Sequence, residues 1–406
     1  MHIELRQLTA DQQREFSLPI LTAFGAVVDP ERLEGAMRLP ELTSRVGAYD
    51  GESIVGAAGS FSLTMTTPGG AVPVAGLTAV AVMPTHRRRG ILTTLIRQHL
   101  EDARAEGRPI SSLWATEGSI YGRFGYGLAS HACSISIERD RAALRGEAAA
   151  EGRARLLGEA EALEAFPPVW ERARPLVPGM LARSKVWWEV RRLIDSDFTR
   201  QGGGPLQRVV IEVGGRAEAY AMYCLHHRWD ASNIPVGSVR VIEAVGATPL
   251  GTRLIWRYLF NLDLAQRIEA NLLPPDHPLG LLLVEPRRLR LTVGDGLWVR
   301  IVDVEAALAA RAYGSGEPLT LEIADRDCPW NAGRFRLHGG ERRAARTTAA
   351  PDLRLDIAAL GSAYLGGVSF QQLADAGQVE ALSDGAVERA DGLFRAARAP
   401  WCPEIF

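Results

Sequence analysis

The chain lacks what would place it in a membrane, in a disulfide scaffold or on a polyanion. Across 406 residues no apolar run approaches the ~18 residues of a membrane span. The start MHIELRQLTADQQREF has no basic-then-apolar order of the signal-peptide kind, so a cytoplasmic protein is expected. Cys133, Cys224, Cys328 and Cys402 stand far apart with no CxxC pair, which disfavours a zinc site and a disulfide framework and predicts buried or free thiols. No metal is expected. A net charge of −2 supplies no global field toward nucleic acid or membrane. Lysine is nearly absent, Lys185 being the one lysine among 46 basic residues, so a run of arginines carries less information here than usual. Low-complexity segments and long linkers are absent too.

What is present is a length suited to two or three domains at ~100–200 residues each. Up to about Ser130 the pattern reads β-α-β-β-β-α-β-α-β, with hairpins punctuated by Asp50-Gly51 and Gly69-Gly70. In HRRRGILTTLIRQHLEDARAEG, Leu92, Leu95, Ile96 and Leu100 share one helical face and Gly107 supplies the stop. PISSLWAT reads as a short buried strand. Residues 139 to about 165 read as a helical, solvated connection. A second cycle follows, with strands QRVVIEV and AEAYAMYCL around Gly214-Gly215, strand SVRVIEAVG and helix TPLGTRLIWRYLFNL, which predicts a divergent internal duplication. From about Trp298 a third unit begins with LWVRIV, a helix, a hairpin, the strand DLRLDI and further helices.

The chemistry concentrates in GLTAVAVMPTHRRRGILTTLIRQHL, residues 76–100. A buried strand through Val80, Ala81 and Val82 feeds a turn, three arginines, Gly90 and a long helix. Free backbone N–H groups at a helix start, with the dipole behind them, bind pyrophosphate; glycine permits close approach. A second stretch, TEGSIYGRFGYG, places Tyr121 soon after a strand. A tyrosine, ordinarily near ~10, is protonated at neutral pH and can donate to a departing thiolate, whose ordinary value is ~8.5. Tyr126 is the rival for that role, and one turn too late in the pattern.

The first stretch resembles the acyl-CoA loop R/Q-x-x-G-x-G/A of the GNAT superfamily of N-acetyltransferases. Arg87-Arg88-Arg89-Gly90-Ile91-Leu92 matches except for Leu92, which replaces a small residue and asks for different packing around the cofactor. The resemblance implies that N–H groups from Arg88 through Arg89, Gly90, Ile91, Leu92 and Thr93 hold the pyrophosphate of acetyl-CoA. It implies that Val80, Ala81 and Val82 pair with the pantetheine arm, with Thr116 and Glu117 at the cofactor site and Tyr121 as the general acid.

Together with the ending PWCPEIF, these stretches resemble the enhanced intracellular survival (Eis) family. That resemblance implies mixed α/β sheets: an N-terminal GNAT domain over 1–138, a degenerate GNAT-like domain over 139–297 whose ATPLG should not bind acetyl-CoA, and a sterol-carrier-like domain over 298–406. It also implies hexamers, amine-bearing small molecules such as aminoglycosides as substrates, and no nucleic-acid or membrane partner. Neither site stretch offers an evident base beyond Glu117. Eis enzymes are similar to N-myristoyltransferases in delivering a C-terminal carboxylate to the active site, which would be that of Phe406, with Trp401, Ile405 and the Phe406 ring as apolar anchors, Pro403 limiting freedom and Glu404 helping to attract cations. Two other readings stand beside this one: a scaffold that senses acetyl-CoA and holds an apolar ligand, and a protein-lysine or longer-chain acyltransferase.

Overall fold

The structure, a computed structural model, describes residues 3–27, 30–146, 152–314, 316–340 and 344–406. It divides into two compact units, one of Met1–Ser130, Gly296–Pro400 and Glu404–Phe406, the other of His131–Asp295 and Trp401–Pro403. The edges expected at 138 and 297 therefore fall at 130 and 295, because two strands join sheets other than those their sequence neighbours suggest. His131–Glu138, with its buried–exposed alternation, pairs antiparallel with Ala265–Leu273 in the second sheet. Leu297–Ile301 lies in the first sheet, and four of its five residues are buried.

The first sheet runs Ile3–Gln7, Leu42–Asp50, Ser53–Thr67, Gly70–Val82, Ile110–Trp114, Leu297–Ile301, Gly127–Leu128. Its first four strands are antiparallel neighbours, turned by Gly51 at φ 61 and Gly69 at φ 84, a conformation that favours glycine. Helix Ile91–Ala105 buries Ile91, Leu95, Ile96, His99, Leu100 and Ala103. It stops at Gly107, φ 68, where Arg108 N–H donates to the Ala103 carbonyl at 2.9 Å, the closing bond of a glycine cap.

A five-stranded sheet, Ala344–Arg346, Gly333–Leu337, Leu319–Ala324, Leu353–Asp356, Val379–Ala381, belongs to the same unit. Its following helix Ile357–Ala363 meets the first sheet with no room for side chains between. A Cβ on Gly127 would stand 2.0 Å from the Ala358 carbonyl oxygen, and one on Gly361 2.3 Å from that of Val299. The five-stranded part is thereby packed directly on the first sheet.

The second unit repeats the strand-then-helix plan in a seven-stranded sheet, with Gly237–Gly246 followed by helix Pro249–Phe260 and parallel to Ala265–Leu273. The helical connection expected over 139–165 is instead a short 3-10 turn, an edge strand Arg153–Leu156 and the start of helix Glu159–Ala173. Residues 147–151 lie outside those described. Pairing of Arg153–Leu156 with Val209–Glu212 overrides the helical propensity of the segment. All four cysteines are buried thiols outside any disulfide.

Candidate active site

The site grows from a parting of two parallel strands. Gly70–Val82 pairs with Ile110–Trp114 only over Val74–Gly76 against Ile110–Ser112. Beyond Gly76 its other edge stays bonded to Ser53–Thr67, as far as Val82 opposite Gly56. Within this stretch Ala79 and Val80 stand opposite the single Ala58, and Ala79 takes φ 53, the signature of a bulge that re-aims the backbone. Thr78, Ala79 and Val80 are half-buried although flanked by core. Along Val80, Ala81 and Val82 this second edge has no ladder partner among the described residues, and such an edge can take a ligand that carries its own amides.

At the end of that edge the chain turns through Pro84–His86 into Arg87, Arg88 at φ 62, Arg89 and Gly90 at φ 83. Gly90 is the N-cap of Ile91–Ala105 and no side chain caps the helix. The first amide to bond within the helix is that of Thr94, to the Gly90 carbonyl at 3.0 Å. Amides of Ile91, Leu92 and Thr93 thus stand before the first helical bond, with the positive end of the dipole behind them. Arg88, Arg89 and Gly90 are exposed, Ile91 is buried, and Leu92 and Thr93 are half-buried. A Cβ on Gly90 would meet no protein atom within 4 Å, so the need for glycine there comes from its φ and from whatever approaches the loop. These features fit a pyrophosphate.

Tyr121 ends the short helix Gly118–Tyr121 and is 8% exposed. It shares one apolar cluster with Leu77, Ile91 and Leu113, against which Val80, Val82 and Leu92 pack. Its ring meets that of Tyr126 edge-on, centroids 5.9 Å apart. The two phenols differ in their partners. Tyr126 is fully buried and its hydroxyl lies 2.8 Å from Ser111 Oγ, which lies 2.8 Å from His99 Nε2. The Tyr121 hydroxyl takes no hydrogen bond among the described residues. Burial pushes both phenols above the ordinary tyrosine value, so each is protonated at neutral pH. Thr116 and Glu117 are exposed ahead of the helix, Glu117 as its N-cap residue without a side-chain bond.

The turn that follows is clamped from outside the first 130 residues. Arg300, wholly buried, donates from Nε to the Phe124 carbonyl at 2.8 Å and grips Asp325 with Nη2 at 2.8 Å to each oxygen. Gly125, φ 80, has no Cβ because one would lie 2.7 Å from Arg300 Nε. Asn331 Nδ2 and the amides of Asp327 and Cys328 complete the Asp325 carboxylate. None of Arg300, Asp325, Ser111 or His99 was singled out by sequence. The one available sign was an arginine inside the apolar strand LWVRIV, which must find a carboxylate if the strand is buried.

The sequence's last residue reaches the strand fork. Phe406 is 9% exposed, and its ring stands edge-on to Phe61 at 6.2 Å between centroids. A Cβ on Gly76, the residue at which the two strands part, would lie 3.1 Å from Phe406 Cε2. Glu404 is buried, but Ile405 is 56% exposed. Ile405 is therefore no apolar anchor: it is exposed while its neighbours on either side, Glu404 and Phe406, are buried. Among the described residues no group of His, Cys, Asp and Glu is arranged to hold a metal, and no helix is long and apolar enough to cross a membrane.

Comparison with known proteins agrees with this layout. Residues 4–129 and 179–301 each match an acetyltransferase (GNAT) domain family, and residues 304–403 match the sterol carrier protein domain. An uncharacterized N-acetyltransferase of Streptomyces coelicolor is 39% identical over 100% of both chains. N-acetyltransferase Eis of Mycobacterium tuberculosis is 36% identical over 86% of this chain and 85% of its own. The crystal structure of Eis1 from Mycobacterium abscessus superposes with a TM-score of 0.85 at 34% identity, covering 100% of both chains.

Proposed function

Since the chain belongs to the Eis family of N-acetyltransferases, with an acyl-CoA as co-substrate, we propose that it moves the acetyl group of acetyl-CoA to a primary amine of a polycationic small molecule such as an aminoglycoside. Tyr121 is the acid and the terminal carboxylate of Phe406 the base. The pyrophosphate lies on the amides from Arg88 to Thr93 and the pantetheine along Val80–Val82. An ammonium substrate gives its proton to the carboxylate, directly or through water. The neutral amine then attacks the thioester carbonyl, the C–N bond forms as the C–S bond breaks, and the thiolate takes the Tyr121 proton. The second proton of the nitrogen returns through water to the Tyr121 phenolate, leaving amide and CoA thiol, and the carboxylate passes the first proton to solvent. A free α-carboxyl titrates near ~3.5 in water, so its work as a base depends on partial burial and relay through water; its charge also draws cations. The protein acts as a homo-oligomer, a hexamer on the family's pattern.

One observation carries this reading: the Phe406 ring is packed on Gly76, where the two strands of the acyl-CoA fork part. The sterol-carrier-like part supports the site instead of holding a lipid. A cavity of about 320 Å³ there is lined by Val304, Trp330 and Phe335 and by the exposed Arg104, Glu305 and Arg346, charges that an acyl chain would have to desolvate. The test measures thiol release from acetyl-CoA against aminoglycosides, polyamines and lysine peptides, for the full chain and for chains lacking Phe406 or extended by a few residues. Loss of turnover with acetyl-CoA affinity intact is expected of both altered chains; full turnover by an intact extended chain refutes the role of the terminus.

A further inference from the structure

The second unit has kept the forked strand pair of its counterpart and filled it. Strand Gly237–Gly246 runs parallel to Ala265–Leu273 only as far as Val241 opposite Ala270. Past that point the register of Ala265–Leu273 against His131–Glu138 shifts, and Leu272 takes φ 57. The Leu272 carbonyl accepts the indole N–H of Trp401. The space between Val241–Ala244, Ala270–Leu273, Trp401 and Pro403 has only about 10 Å³ left free, roughly one water.

Further contacts fix the same residue. Trp401 N–H donates to the Pro178 carbonyl at 2.8 Å, and Gly179, φ 91, brings its backbone so near that a Cβ would stand 3.0 Å from the Trp401 carbonyl oxygen. Trp401 packs in one cluster with Trp170, Trp188 and Tyr220. The acid that faces this space, Glu243, is wholly engaged: Arg183 binds it at 3.0 and 2.6 Å, Arg192 at 2.7 Å and the Tyr220 hydroxyl at 2.6 Å. At the following helix, Thr248 Oγ accepts the Gly251 amide at 3.1 Å and Pro249 has no N–H to offer, so two of the three positions that stand open before Thr94 supply no donor here.

We propose that the second fork is a socket for the chain's own end, and that Trp401 is a positioning residue for Phe406. The indole and Pro403 take the place that an extended ligand would occupy between parting strands, and Trp401–Pro403 count with this unit while Glu404–Phe406 count with the other. Five residues after so firm an attachment, the chain end has little freedom left to lose when it docks at Gly76. The inference rests on the reading of the Phe406 carboxylate as the base.

The test compares full-length Trp401→Ala and Trp401→Phe with the chain lacking Phe406, by steady-state thiol release, acetyl-CoA titration and mass-spectrometric timing of Phe406 release by carboxypeptidase. Trp401→Ala is expected to lower kcat by about 10²-fold, the loss typical of a slightly misplaced group. Acetyl-CoA affinity should stay within about twofold, and Phe406 release should quicken about tenfold or more as the apolar anchor is lost. Trp401→Phe, which fills the socket without the N–H, should fall between on both measures, and it decides the matter if the alanine variant does not fold. Folded Trp401 variants with unchanged kcat and unchanged release overturn the proposal. If the chain without Phe406 keeps its turnover, the reading of the base fails, while the release assay still reports on the socket. If that chain is dead and the Trp401 variants are not, the socket alone is wrong.

Discussion

Removing one phenol oxygen from each of the two neighbouring tyrosines should separate catalysis from stability. Tyr121→Phe deletes a hydroxyl that has no partner among the described residues, so no bond between them is broken and the unfolding free energy should move by less than about 0.5 kcal/mol. Turnover should fall by about 10²–10⁴, the usual worth of a general acid, which is roughly 3–5 kcal/mol on the barrier. Tyr126→Phe deletes the partner of Ser111 in the buried chain Tyr126–Ser111–His99. It should cost about 1 kcal/mol of stability, a few degrees in Tm, with turnover nearly intact. Thiol release under saturating acetyl-CoA, paired with thermal and urea melts, reads both quantities. The acid must carry its proton, and burial raises Tyr121 above the ordinary value. The alkaline limb of kcat should therefore lie above pH ~10 and vanish in Tyr121→Phe. A dead Tyr126→Phe beside an active Tyr121→Phe would refute the assignment.

Three further outcomes follow from the same contacts. Asp325→Ala strands the fully buried Arg300 and should cost about 3–5 kcal/mol in urea unfolding, with much of that recovered by adding Arg300→Met. Gly90→Val forces a branched side chain to φ 83 and into the path of the pyrophosphate; acetyl-CoA affinity measured by calorimetry should collapse, with about 1–2 kcal/mol lost in stability. Burial, with help from Arg108, holds His99 at about 4, below its ordinary ~6.5, so the unfolded chain binds the extra proton. Stability from this group is full above pH ~6.5 and drains as pH falls toward 4, by at most roughly 3 kcal/mol. His99→Gln should flatten the slope of urea stability between pH 6.5 and 4.

Much of this was legible in the sequence because it is local. The strand, loop and helix of 76–100 announce themselves through apolar periodicity and a glycine at the turn, and Tyr121 through its place just after a buried strand. What could not be read depends on pairing across long separations. Nothing in LWVRIV says that its strand will lie between residues 110–114 and 127–128, since a short run that is apolar on both faces fits the middle of any sheet. The phenol of Tyr126 was distinguishable from that of Tyr121 only once Ser111 and His99 had been brought beside it. Ile405, apolar by type, gave no sign that it faces outward. The side a tail residue takes is set by the surface it lies on, not by its own chemistry.

The position of Leu297–Ile301 in the first sheet, opposite Ile110–Trp114, also sets an order of events at the ribosome. A strand of the catalytic sheet is translated some 167 residues after Ser130, the difference between positions 297 and 130. At about 5–20 residues per second the nascent sheet waits roughly 10–30 s with the flank of Ile110–Trp114 unpaired, a template for a foreign strand. Meanwhile all of His131–Asp295 emerges and can complete its own sheet first. The catalytic unit, first to be written, is the last to close, and stalled or truncated chains should aggregate through that open flank.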